Sequence, residues 1–225
     1  MKKNKQNQKN SRKNWMEEFK VREKAGQELK NKDVAEFIRH AGTEDCKHFL
    51  ANYELCEEAQ VVLIKYRDPK LLLFAFEQDR TIWGEKALIT FFKQKNFDLI
   101  EQFVKNHYIS GDEAECVLIQ VCFEQYHENA YHSCADYIIE YYLENRTLSD
   151  AAELVLAKTG VSHWLNIYVE RYQLLPEAEV ELIKRGDIDL ICFYIDLYEL
   201  CNEAKSELKK REDYSRIITH RNHHR

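Results

Sequence analysis

An alanine-centred apolar stripe returns along most of this chain, at a spacing that a helix satisfies and a strand does not. Leu174, Ala178 and Leu182 stand four residues apart and so share one helix face, with the small alanine allowing a neighbouring helix to approach closely. The stripe is restated at Leu55–Ala59–Leu63, Trp83–Ala87–Phe91, Leu148–Ala152–Leu156 and Leu200–Ala204–Leu208, and in weaker form at Ser110–Ala114–Leu118. From one alanine to the next the steps are 28, 27, 38, 26 and 26 residues. That is the period of a two-helix unit. The turn between the helices recurs too, as KYRDPKLL, KQKNFDLI, KTGVSHWL and KRGDIDLI, and a tyrosine precedes the alanine by six residues at Tyr53, Tyr108, Tyr172 and Tyr198.

Within the clearest unit the helix ends are spelled out. Pro176 suits the first turn, where its missing N–H breaks no helical bond, and Glu177 and Glu179 face the positive end of the helix dipole. Lys184 and Arg185 meet the negative end, Gly186 is expected to close the helix in the left-handed conformation, and Asp187 to cap the next helix. That second helix carries Leu190, Ile191, Phe193, Tyr194, Leu197 and Tyr198, an apolar surface wider than one partner helix covers. Neighbouring units must cover the remainder.

The chain is therefore expected to be all-α, an α-solenoid of stacked two-helix repeats with about seven units of roughly 26 residues. Residues 1–14 are Lys/Asn/Gln-rich and read as a disordered basic tail, and residues 15–218 as a single repeat domain. Inside it, 15–29 reads as an N-terminal cap helix, 109–145 as a long irregular unit and 200–218 as a C-terminal cap unit. Residues 219–225 form a basic, histidine-bearing tail. Six glycines and two prolines in 225 residues leave little material for long loops.

At the level of architecture the segments LCEEAQVVLIKYRDPKLLL, LSDAAELVLAKTGVSHWL, LPEAEVELIKRGDIDLI and LCNEAKSELKKREDYSRI resemble the HEAT- and TPR-like α-solenoids, over about residues 30–218. The resemblance implies recognition of another macromolecule, usually a protein, on an extended curved surface. The units are shorter than TPR or HEAT periods and lack the TPR Trp-Leu-Gly signature, so it carries over no residue role.

Charge and cysteine usage narrow the setting. There is no apolar run long enough to cross a membrane, and the start MKKNKQNQKN lacks the apolar stretch of a signal peptide. Seven cysteines without a CxxC pair read as reduced thiols, which fits the cytoplasm. The net charge of −6 hides an uneven layout: both ends are basic, while residues 15–204 carry 20 Lys/Arg against 36 Asp/Glu, a balance of −16. An acidic body repels phosphate backbones, so nucleic acid is disfavoured as a partner and a basic protein is favoured.

Candidate chemistry gathers in the irregular unit. Cys116, Cys122, His127, His132 and Cys134 are zinc-ligand types, but their spacing contains no CxxC or HxxxH, and core filler is the plainer reading; no metal and no cofactor are expected. Trp83 and Trp164 fall at register positions held elsewhere by leucine and are assigned to the core, as are the rings of the recurrent tyrosines at 53, 108, 172 and 198. Tyr126, Tyr131, Tyr137, Tyr141 and Tyr142 exceed what one helix face can bury, and are assigned to a partner-binding surface. No nucleotide-binding, nucleophile-elbow or zinc-protease motif occurs, and the acidic residues read as helix-start or solvent-facing groups, so no catalytic residue is assigned. The expected function is a non-catalytic protein-interaction module that holds a basic or extended partner segment on an acidic surface. The alternatives are a nucleic-acid-binding or DNA-base-processing HEAT-like protein, and an acidic inhibitor or immunity protein.

Overall fold

The computed structural model describes Val21 and residues 30–78, 81–129 and 134–223, the side chains of 129 and 220–223 excepted. The expected 1–14 tail, the 15–29 cap helix apart from Val21, and Tyr131 and His132 lie outside the described residues. Among the described residues there are fourteen helices and no strand. No helix there is long and apolar enough to cross a membrane.

The chain falls into two compact units, Met1–Phe103 and Val104–Arg225, a division that the repeat register from Ala87 to Ala114 does not mark. The first unit holds α1 (Asn31–His40), α2 (Thr43–Asn52), α3 (Glu57–Tyr66), α4 (Pro69–Phe76), α5 (Glu85–Phe92) and most of α6 (Phe97–Asn106). In it α1 packs on α3 and α3 on α5, while α2 packs on α4. The second unit holds α7 (Asp112–Asn129), α8 (Cys134–Asn145), α9 (Asp150–Thr159), α10 (Ser162–Val169), α11 (Pro176–Arg185), α12 (Ile188–Leu197), α13 (Asn202–Leu208) and α14 (Tyr214–His223). There the first helices of successive repeats, α7, α9, α11 and α13, pack in order, and so do the second helices, α8, α10, α12 and α14. Each unit is thus a stack of helix pairs in two layers, the packing mode of a solenoid.

The alanine register explains why. Ala59, Ala87, Ala114, Ala152, Ala178 and Ala204 are completely buried, with Leu63, Phe91, Leu118, Leu156 and Leu182 beside them in the core. A side chain of one methyl at each crossing lets the first helices approach; the flanking leucines and aromatics fill the space on either side. In the first unit the rings of Trp83, Phe91 and Phe103 all meet Phe76 edge-on, with centroids 4.9–5.1 Å away. This geometry suits the ring quadrupoles. Both tryptophans read as core are buried.

Local signals set the helix starts. Asp68 and Asp187 accept the N–H groups of Leu71 and Leu190 at 3.0 and 2.8 Å, and Pro69 and Pro176 occupy first-turn positions. The helix ends are closed from the next repeat. Arg67 donates to the carbonyls of Ile38 and Ala41 at the end of α1, Gln94 to Ile64 at the end of α3, and Arg211 to Ile183 and Gly186 at the end of α11. These bonds satisfy carbonyls that a helix terminus leaves without partners.

Two expectations about chain geometry are corrected. Gly186 is extended, with φ −62°, and the left-handed cap is Gly160 at φ +68°. Gly186 is a glycine for another reason: a Cβ there would stand 2.7 Å from the Leu182 carbonyl oxygen. The tail expected from residue 219 is helical through His223 as part of α14.

Candidate functional site: the irregular repeat of the second unit

The insertion between Ala114 and Ala152 is spent mainly on α7, which runs for 18 residues. Its first turns bury Ala114, Val117, Leu118, Val121 and Cys122 as in other repeats. Its last turns continue past that core and carry Tyr126 and His127 outward. The Tyr126 ring lies 5.7 Å from the His163 ring and 5.5 Å from Trp164, and His127 meets Phe123 edge-on at 4.4 Å.

Beneath these rings sits a buried carboxylate. Asp136, at the start of α8, accepts the Trp164 indole N–H at 3.1 Å, and His163 Nε2 stands 3.5 Å from the same oxygen. Glu140, one turn on, lies 3.8 Å from His163 Nε2. His163 keeps nearly half of its side chain exposed between two carboxylates and a tyrosine ring. On the neighbouring, outward face of α8, Tyr137 is 59% exposed and Tyr141, one turn on, half-buried, its hydroxyl 3.4 Å from the Lys105 carbonyl; Glu144 is exposed at the next position of that face. Tyr108 is also exposed, under the Arg146 guanidinium at 5.5 Å.

The tyrosines assigned to a partner surface therefore separate. Tyr137, Tyr141 and Tyr126 reach solvent in whole or in part. Tyr142 does not: it is 1% exposed, and its hydroxyl donates to buried Glu115, so it belongs to the core. Tyr131 lies outside the described residues. The reading of Tyr108 as a buried ring is likewise corrected, since its side chain is 70% exposed. Cys122 is buried, Cys116 half-buried and Cys134 and His127 exposed, and among the described residues no group of three His, Cys, Asp or Glu side chains is placed to hold a metal ion.

The larger departure concerns the acids. Glu115, Glu153 and Glu179, each directly after a register alanine, are buried rather than solvent-facing. Glu153 accepts the Tyr168 hydroxyl at 3.1 Å and the backbone N–H of Leu175; Glu179 accepts the Tyr194 hydroxyl at 2.7 Å and the N–H of Cys201 at 2.8 Å. Glu115 accepts Tyr142 and, at 2.9 Å, the N–H of Ser149. Ser149, Leu175 and Cys201 are the N-cap residues of α9, α11 and α13. Each carboxylate thus ties the second helix of its own repeat to the first helix of the next. Burial pushes the Glu153 carboxyl above the usual range, and burial followed by the neighbouring glutamates pushes the hydroxyls of Tyr142, Tyr168 and Tyr194 upward. These acids are structural. A signal existed: a Glu after the register alanine followed fifteen residues later by Tyr, at 153/168 and 179/194. His163 and Asp136 were also missed, because nothing in their spacing announces a pair that only the packing of α8 on α10 brings together.

Searches against protein-family models, curated proteins and solved structures find no match for this chain.

Proposed function

We propose that this protein is a non-catalytic interaction module, of the broad HEAT- and TPR-like kind, that holds a basic, extended segment of another protein on the outer face of α8 and the projecting end of α7. The observation that carries this reading is Tyr137, a large ring 59% exposed, aligned with Tyr141 and flanked by Glu140 and Glu144. A solvent-facing aromatic in a field of carboxylates suits a Lys- or Arg-rich chain, whose cations pair with the acids and stack on the rings. Tyrosine supplies such contact area at small entropic cost, which is why it is favoured at interfaces. The reading places the protein in the cytoplasm, where its free thiols stay reduced.

The test is a titration of the full chain with a fluorescent Lys-rich extended peptide, a Glu-rich counterpart and a single-stranded oligonucleotide. Saturable binding of the basic peptide alone, weakening as salt rises and falling at least about tenfold in a Tyr137→Ser/Tyr141→Ser variant of unchanged helicity, supports the module. Preference for the oligonucleotide would replace it with the nucleic-acid reading.

A further inference from the structure

Three tyrosines stand out among the exposed large side chains of the described residues, Tyr66 at 60%, Tyr108 at 70% and Tyr137 at 59%. Two of them are covered by the chain itself. The Arg39 guanidinium lies over the Tyr66 ring, 4.9 Å from its centroid, and the Arg146 guanidinium over Tyr108 at 5.5 Å. Lysines outnumber arginines 21 to 12, yet both covering groups are arginine, and Lys47 stands farther off, 6.0 Å from the half-buried Phe74 ring. A guanidinium is planar and weakly hydrated, so it lies flat on a ring and still donates from its edge, whereas a lysine ammonium is a compact, strongly hydrated point charge. Arg39 does both, since its Nη1 also donates to Glu36 at 3.0 Å. Ring, guanidinium and carboxylate make one set.

Helix α8 supplies two members of that set, twice. Among the described residues no cation lies over Tyr137. The sequence of α8 reads Tyr-x-x-Glu in tandem, Tyr137 with Glu140 and Tyr141 with Glu144, each pair three residues apart and so neighbours on the helix surface. Glu144 is exposed, and Glu140 keeps 34% of its side chain in solvent beside His163. The two pairs are offset by four residues, about 6 Å along the helix axis. Alternate residues of an extended chain are about 6.4–6.8 Å apart. A segment laid along α8 therefore brings its residues i and i+2 to the two pairs and turns the residue between them to solvent.

We propose that the outer face of α8 reads arginine, in an extended Arg-x-Arg segment of another protein, with one guanidinium on Tyr137 and Glu140 and the next on Tyr141 and Glu144. This rests on the interaction-module reading and names the chemistry of its partner. The partner completes on α8 the set that Arg39 completes within the first unit.

The test titrates the full chain at low salt with three fluorescent peptides of equal length, each carrying two cationic side chains: arginines separated by one serine, arginines separated by two, and lysines separated by one. The expected result is saturable binding of the first, at least about fivefold tighter than of either other peptide. Tyr137→Leu keeps an apolar side chain but removes the ring, and should erase the preference for arginine over lysine. Glu144→Gln, at an exposed position, should erase the preference for the one-residue spacing. Unchanged helicity shows that both variants are folded. Equal affinity for the three peptides, or a preference that survives in its folded variant, would overturn the arginine assignment and leave the module standing. Failure of all three together with the longer Lys-rich peptide would remove both.

Discussion

The Tyr194 hydroxyl donates to Glu179 at 2.7 Å while accepting the Leu174 N–H at 3.1 Å, so one buried oxygen joins α12, α11 and the loop before α11. Removing that oxygen leaves a carboxylate and an amide short of a partner in a dry site. Tyr194→Phe is therefore expected to destabilise the protein by about 1–3 kcal/mol, read from the midpoint of urea unfolding at unchanged slope.

Glu153 titrates in the direction opposite to a surface acid. Burial, ahead of every other influence, raises its carboxyl above the value of about 4.3 found in unfolded chains. Its favourable contribution is therefore fully present below that unfolded value and is lost as pH rises through the folded one. Glu153→Gln removes the titration and keeps an oxygen acceptor. At the matching position Gln60 already takes the Gly84 N–H on its side-chain oxygen, at 2.8 Å. The wild type should gain melting temperature relative to this variant as pH falls from about 7 to about 4.5, and a constant difference across that window would contradict the assignment.

At Ala178 the helices leave no room. Ala178→Leu should cost about 1–3 kcal/mol through overpacking, and an unchanged melting temperature would disprove the register.

Two glycines of ordinary φ separate a clash with backbone from a contact with a movable side chain. Gly186→Ala drives a methyl to 2.7 Å from a backbone oxygen and should destabilise by about 1–3 kcal/mol, although φ there suits any residue. Gly42→Ala meets only the Asp45 carboxylate, at 3.2 Å, which can swing aside. Its effect should stay below about 1 kcal/mol. Thermal melts of the pair make the comparison.

The architecture was legible because its signal is redundant. Six register alanines, their flanking leucines and the Asp-Pro and Gly-Asp turns each point to stacked helix pairs, and every register alanine is buried. Charged side chains were not legible in the same way. Glu179 sits one position from an alanine at the helix start, where a carboxylate is equally at home facing the dipole in water. Only the arrival of Tyr194 and the Cys201 N–H makes burial tolerable. Tyr142 was misplaced for the same reason, since its partner Glu115 stands 27 residues away across the insertion. His163 is drawn to Asp136 through Trp164, a neighbour whose core position was recognised while its hydrogen bond was not.

The carboxylate ladder also has a direction in time. Glu115, Glu153 and Glu179 each accept an N–H that lies 34, 22 and 22 residues downstream, at Ser149, Leu175 and Cys201. On a ribosome the acceptor always emerges before its donor. Each repeat of the second unit that has formed therefore already carries the acceptor for the opening turn of the helix still being made.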